Sequence, residues 1–578
     1  MAHDLTKERG SQTELDSFHT GQSYIVDELP PGRVDEEQVK QVIRTIAELI
    51  LRIIPVRLLN TRDGKIYTGA ALKKKFEESD KFRSLLVLIT TESTLEQKLF
   101  IREVVRNFFA YVMLSHRWED DELAFENLKG ASVYDLPTSR FHKVRGFCRQ
   151  AARWGFDWAW VDTCCIDQKS SSDVQESIST MFSWYRKSAL TIIYLSDVTT
   201  SSIQALLRSQ WFRRGWTLQE LLAAKVIQLY KKDWSPFYPH APFNHKDVPE
   251  ILDALQSATG IEKKYLKDYL PSVECPRMKL TWARHRATKK KEDEAYCLIG
   301  IFGLTMSVRY GEGDKAFSRL LVQIMRHADD ATLLDWVGQP SSMNSCLPSS
   351  PRYFMDVPFK MLHAVPEAHH HSAMSFPFAA KLVYVLKGAT RRARNSSHVH
   401  RDNNANQEPR GDETSAAIQA PQIMRRRSSQ SPLAQLLENP PRPYILTAEI
   451  HITVPCFVHE VQSLFFERGT NSYVCHANGI QQFSLFTSED LRICVIGHHS
   501  PSGYLLVRPW DPRLCHALNT YHSGLSLLRQ RLATPFFAML LERSNRGRFR
   551  RIPTDRRIVA RLESLPSLTY EVRLLDLQ

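Results

Sequence analysis

No run of the roughly 18 apolar residues needed to cross a membrane occurs in the 578-residue chain. The nearest stretch, Val39 to Ile54, is broken by Lys40, Arg44, Glu48 and Arg52, so no membrane span is expected. The opening residues MAHDLTKERGSQTELD have no apolar core, which argues against a secretory signal. The ten cysteines include no C-x-x-C pair, and the adjacent Cys164 and Cys165 cannot easily join each other. A chain this long builds its core without disulfides, so a reducing, cytoplasmic setting is expected, with a nuclear one compatible and no structural zinc. YGEGDKAF (310–317) sets two glycines before a helical pattern but lacks the G-x-x-x-x-G-K-[ST] spacing, so it reads as a turn and helix start. There is no internal repeat of fixed period.

Positive charge is what the chain has in excess. The formal net charge is +13 and the pI near 9.2. That balance permits contact with nucleic acid, acidic lipid or nucleotide phosphates and specifies none of them. The run from Arg543 to Arg561 has eight arginines and one aspartate. No aromatic series accompanies it, so it reads as a solvated face, and nucleic acid is not an expected partner. Arg425-Arg426-Arg427-Ser428-Ser429 fits a basophilic kinase site, where phosphate would oppose the local charge, or equally a weak nuclear-import patch.

The pattern divides the chain. Residues 1–34 are polar and read as a mobile tail. Residues 35–55 give one amphipathic helix, with Val39, Val42, Ile43, Ile46, Ile50, Ile53 and Ile54 at helical spacing and Pro55 as the stop. From 56 to 235, short apolar runs alternate with helical patterns: YVMLS (111–115), WAWVD (158–162), LTIIYLS (190–196) and KVIQLY (225–230). Such alternation predicts an α/β fold, a parallel sheet with helices on both faces. Residues 236–335 form a helical extension, 336–390 a partly ordered connector containing the apolar run LVYVL, and 391–443 a polar linker. Residues 444–578 open on the alternating YILTAEIHITV and read as a β-rich domain.

YVMLSHRWEDDELAFENL, WAWVDTCCIDQ, STMFSWYRKS and SQWFRRGWTLQEL follow in that order. They are flanked by VRLLNT (56–61) and by RMKLTWARHRATKKKEDEAYCLIGIFGLTMSVRYGEGDKAFSRL (277–320). Together these resemble the fungal heterokaryon incompatibility (HET) domain family, in its basidiomycete form, over residues 56–335. Glu119 departs from the glycine many relatives carry, and the charged segment between VRLLNT and YVMLS looks like an insertion. The resemblance implies a role in non-self recognition and programmed cell death, acting through a protein partner or self-association.

The same order also looks like a TIR domain, a flavodoxin-like fold. Many TIR domains cleave NAD at the nicotinamide–ribose bond using the glutamate of a W-x-x-x-E motif. That motif falls on Trp216 and Glu220, although the segment Ser201 to Gly215 is longer than in TIR domains. The likeness implies Glu220 as the catalytic acid, with NAD as substrate and no resident cofactor or metal assigned.

In parallel sheets ligands bind at the carboxyl ends of the strands. The polar residues Ser115, His116, Arg117, Asp162 and Asp167 cluster there, and with Trp118 and Trp216 they make the candidate binding set. Each has a plainer reading. Arg117 could pair with Glu119, Asp120 or Asp121 on the surface. Asp162 and Asp167 could cap turns. Trp118, Trp158, Trp160, Trp184 and Trp211 could be core, and Cys164 and Cys165 inert buried thiols. For Glu220 the plainer reading is a capping box, with Thr217 as N-cap and Glu220 tied to its own backbone. The alternative sets Glu220 beside Trp216 at the mouth of a site, where a carboxylate can stabilise an oxocarbenium-like ribose.

Overall fold

The computed structural model describes residues 36–355, except 90–94, 121, 137, 240 and 241. Beyond 355 it describes 434, 436, 437, 440–442, 444–446, 452–493, 503–515, 521–544, 547–564 and 572–578. The expected tail, the LVYVL run, most of the linker and the Arg425–Ser429 patch lie outside these residues.

Helix α1 (Glu36–Leu51) opens on Glu36 and Glu37, where the helix dipole favours acids. It buries Val39, Ile43, Ile46 and Ala47. Strand β1 (Arg57–Asn60) forms a hairpin with β2 (Ile66–Thr68). The charged segment that follows folds as α2 (Gly69–Glu77), α3 (Asp80–Ile89) and α4 (Leu95–Phe108), which pack on one another and on α1. Phe76 anchors this group, its ring centroid 4.9–5.5 Å from those of Phe82, Phe108 and Phe109.

Four strands follow: β3 (Tyr111–His116), β4 (Trp158–Trp160), β5 (Leu190–Tyr194) and β6 (Ile227–Tyr230). Every residue in them is buried, which is why they read as nearly unbroken apolar runs. They pair in parallel in the order β4-β3-β5-β6, with β1 antiparallel at the outer side of β4 and β2 beyond it. Their connections are α5 (Thr138–Arg153), then α6 (Asp162–Cys165) with α7 (Ser171–Lys187), then α8 (Ile203–Leu207) with α9 (Thr217–Ala223). From β3 the chain steps out to β4, then crosses back to β5. Right-handed crossovers therefore set α5 on one face and α7 and α9 on the other, where α7 and α9 touch. The α/β expectation holds for this sheet. The outgoing connections diverge at β3 and β5, so the crevice for a ligand lies at their carboxyl ends.

The helical stretch comprises α10 (Pro249–Thr259), α11 (Lys263–Lys267), α12 (Pro276–Ala283), α13 (Asp293–Tyr296), α14 (Ile299–Phe302) and α15 (Lys315–His327). Helix α14 packs against both α7 and α9. Gly300 permits that approach, since a Cβ there would lie 2.3 Å from the Phe182 Cβ. The YGEG turn uses positive φ at Gly311 (96°) and Gly313 (62°). Both glycine amides donate to Glu292 Oε1, at 2.7 and 2.9 Å. A carboxylate of the chain thus occupies the two N–H groups that a phosphate would need.

The last part is β-rich, as its alternation predicts. Its strands are β7 (Ile445–Leu446), β8 (Ile452–Glu467), β9 (Ser472–Ala477), β10 (Phe483–Leu485) and β11 (Tyr504–Pro509). Strands β12 (Phe536–Arg543), β13 (Phe549–Arg551), β14 (Ile558–Ala560) and β15 (Val572–Leu577) complete the sheet. Helix α16 (Tyr521–Ala533) adds Leu528 and Leu532 to its core. The arginine run is solvated only in part: Arg543, Arg556 and Arg561 are exposed, but Arg551 and Arg557 turn inward. Buried Arg551 stacks 4.0 Å over Trp336 and donates to the carbonyls of Leu334 and Trp336, both at 2.8 Å. Arg557 meets Asp335 with two bonds of 2.8 and 3.0 Å, and Arg277 of α12 lies 3.4 Å from the same carboxylate. These arginines join the β-rich part to the helical part. No helix among the described residues is long and apolar enough to cross a membrane.

Candidate functional site

All seven residues of α9 are buried. Trp216 precedes the helix with helical dihedrals (φ −62°, ψ −34°) and no side-chain cap. The Thr217 hydroxyl bonds the carbonyls of Trp211 and Arg214, at 2.7 and 2.9 Å, instead of a backbone N–H of its own helix. Glu220 accepts a 2.5 Å bond from Ser115 Oγ at the end of β3. The capping box therefore does not form, and the carboxylate is turned toward the strand end. Ser115 Oγ is fixed in turn by Trp211 Nε1 at 3.0 Å. At the other end of α9, the buried Lys246 ammonium donates to the carbonyls of Leu221 (3.0 Å) and Ala224.

A second carboxylate, Asp162, lies at the end of β4. It sits 3.0 Å from His116 Nε2 and accepts from Trp118 Nε1 at 2.7 Å. Arg214 approaches it to 3.5 Å, bonds the His116 carbonyl, and stacks 5.0 Å over the Trp118 ring. Asp162 is thus engaged by three side chains. Among the described residues no group of three or more His, Cys, Asp or Glu side chains could hold a metal ion.

A cavity of about 480 Å³ opens here, lined by Arg117, Trp118, Asp162, Trp216 and Glu220 among others. Ser115 and His116 stand behind this lining, 0% and 1% exposed, and position Glu220 and Asp162 respectively. Asp167 does not line the cavity. It accepts from the Lys169 amide at 3.0 Å, while its own amide donates to Asp173 at 2.6 Å, which is turn chemistry. Glu119 pairs with Lys143 at 3.2 Å. Trp158, Trp160, Trp184 and Trp211 are core, and Cys164 and Cys165 are buried free thiols.

Several lining residues escaped the sequence reading. Arg213 and Arg214 were quoted only as flanks of the tryptophan motif. Ala287 to Lys290, Asp293 and Tyr310 come from the helical stretch that follows the sheet. Arg286, buried behind them, donates to Thr217 Oγ1 at 2.9 Å and to the Arg214 carbonyl at 3.0 Å. The available signal was that these residues fall inside the quoted 277–320 motif, whose charges recur away from any regular helical face.

The two carboxylates are pushed apart in acidity. Burial raises Glu220 to about 7; Arg214, Ser115 and Arg286 pull it down and Asp162 pushes it further up. Burial would raise Asp162 too, but His116, Arg214 and Trp118 hold it at about 2. Near neutral pH one is fully ionised and the other sits at the middle of its titration, a pattern found at functional sites. Burial lowers Arg286 to about 10, against the opposing charge of Glu220.

Residues 111–205 match the family model for the Heterokaryon incompatibility protein (HET). Over 238 residues the chain is 35% identical to the Vegetative incompatibility protein HET-E-1 of Podospora anserina. That match covers 39% of this chain and 17% of the relative's length. No solved structure matches the chain.

Proposed function

We propose, from the premise that this chain carries a heterokaryon incompatibility region at residues 111–205, that it acts in fungal non-self recognition by cleaving NAD. A TIR-like reading of the sheet is part of this proposal. The observation that carries it is the Glu220 carboxylate, buried at a 480 Å³ cavity and bonded to Ser115 across the strand ends. The strand order, with a switch point at β3 and β5, supports the same placement.

The bond from the nicotinamide nitrogen to the ribose carbon breaks, and its electron pair leaves with the nicotinamide. Positive charge develops on the ribose. Ionised Glu220, held in a low-dielectric wall, stabilises that charge. Water then bonds the ribose carbon and loses a proton. Arg117, Arg213, Lys289 and Lys290 line the cavity with the charge that a pyrophosphate requires, and Trp118 and Trp216 supply aromatic faces. A cavity of this size lies within the usual range for small-molecule sites.

Incubating the chain with NAD and following nicotinamide release tests the reading. Wild type, at high concentration or forced to cluster, is expected to release nicotinamide, and Glu220→Ala to release at least about 100-fold less. Equal release from both would end the enzymatic reading. One observation favours a second reading, a non-enzymatic interaction module: Glu220 is only 2% exposed and already has a partner in Ser115. In that case Glu220→Gln, which can still accept from Ser115, behaves like wild type in a cell-death assay. Under the enzymatic reading it is inactive.

A further inference from the structure

Asp293 opens α13, in the helical stretch outside the parallel sheet, yet it lines the same cavity as Glu220. It is 8% exposed. Tyr310 donates its hydroxyl to Asp293 Oδ1 at 3.0 Å, and Trp216 lines the same cavity. Trp216 is also the residue four positions before Glu220. Asp293, Trp216 and Glu220 therefore share one cavity wall. Lys290, which also lines the cavity, lies 3.6 Å from the Tyr310 ring centre.

An ionised carboxylate only accepts hydrogen bonds, and it has about four lone-pair sites. One is used by Tyr310. The remainder lie on a carboxylate that lines the cavity. A ligand group that satisfies them must carry an N–H or O–H. A ligand carboxylate would meet it as a like charge, and mispairing at a buried polar site is costly. The ring leaving in NAD cleavage must lie next to Glu220, and Trp216 is the aromatic face one helical turn away.

We propose that Asp293 is the specificity-determining residue for the leaving ring, accepting from an uncharged carboxamide and rejecting the same ring bearing a carboxylate. The inference rests on the NAD reading of the site. Asp293 and Tyr310 lie beyond the parallel sheet, so the sheet alone does not complete the site.

The test is equilibrium binding, by titration calorimetry, of nicotinamide mononucleotide and nicotinic acid mononucleotide to the full chain. A Glu220→Gln background prevents turnover. The amide is expected to bind at least about tenfold more tightly than the acid. Adding Asp293→Asn should bring the two within about threefold, chiefly by improving the acid, because Asn can donate to it. A merely structural loss would weaken both ligands and leave their ratio alone. Tyr310→Phe keeps the carboxylate but unpins it, and should weaken the amide several-fold while narrowing the ratio. The inference is overturned by a parental ratio near one, by failure of both ligands to bind, or by a ratio indifferent to both substitutions. If the ratio behaves as expected while wild type releases no nicotinamide from NAD, the cleavage reading fails and the assignment of Asp293 stands.

Discussion

The burial of Glu220 carries a stability cost that depends on pH. Its carboxyl is raised by burial from 4.5 to about 7. Between those values the folded state binds more protons than the unfolded state. Stability contributed by this group therefore falls as pH rises through that window. The cost is absent below about 4.5 and complete above about 7, where it reaches roughly 3 kcal/mol. Glu220→Gln does not carry it. Its melting temperature relative to wild type should climb between pH 5 and pH 8 by about 4–8 °C, and a flat difference would contradict the burial argument. Activity has the opposite sign, since the ionised form is the stabilising one. Nicotinamide release should rise through about pH 7 and level off above it. Glu220 stands out in the sequence through the W-x-x-x-E spacing from Trp216, between two apolar runs. That spacing could not choose between cap and cleft, because both use it. Ser115, 105 residues away, decides the matter, and only folding brings it near.

At the scale of elements, α9 is too short to be stable alone. It is held by α7 and α14 on its sides and by Lys246 at its carboxyl end. Lys246→Met leaves the Leu221 and Ala224 carbonyls buried without this donor. The loss should be about 2–4 kcal/mol, measured by denaturant unfolding. Because Lys246 does not line the cavity, nicotinamide release should drop less than in Glu220→Ala. The parallel strands were legible because burial on both faces makes them uniformly apolar. Helices α2 to α4 were hidden within a segment read only as a charged insertion. Their apolar residues, such as Phe76 and Phe82, face one another across three short helices and give no long period. Asp293 and Tyr310 were hidden for another reason. They sit at the start of a four-residue helix and in a turn, where no periodicity marks a functional face.

For the whole molecule, Asp335 is the residue on which the helical and β-rich parts meet. It gathers Arg277 from the helical stretch and Arg557 from the β-rich sheet. Arg277, Asp335 and Arg551 are nearly or fully buried, so removing Asp335 strands cations in a low dielectric. Asp335→Ala should cost about 3–5 kcal/mol. It should also split calorimetric unfolding into two transitions as the β-rich part uncouples. A single unchanged transition would show that the two parts are held by other contacts. The inward turn of Arg551 and Arg557 is not legible in the run because their partners lie more than 200 residues upstream, at Leu334 to Trp336. Charge composition reveals how many cations a surface could offer. It does not reveal which ones are consumed inside.

The turn at Gly311 and Gly313 carries a related consequence. Its two amides form a nest that suits an anion, and Glu292 occupies it from within the chain. A tethered occupant competes at an effective concentration of order millimolar or above. Free phosphate at lower concentration therefore leaves this nest closed. Glu292 is thus a resident competitor for any anion at this turn.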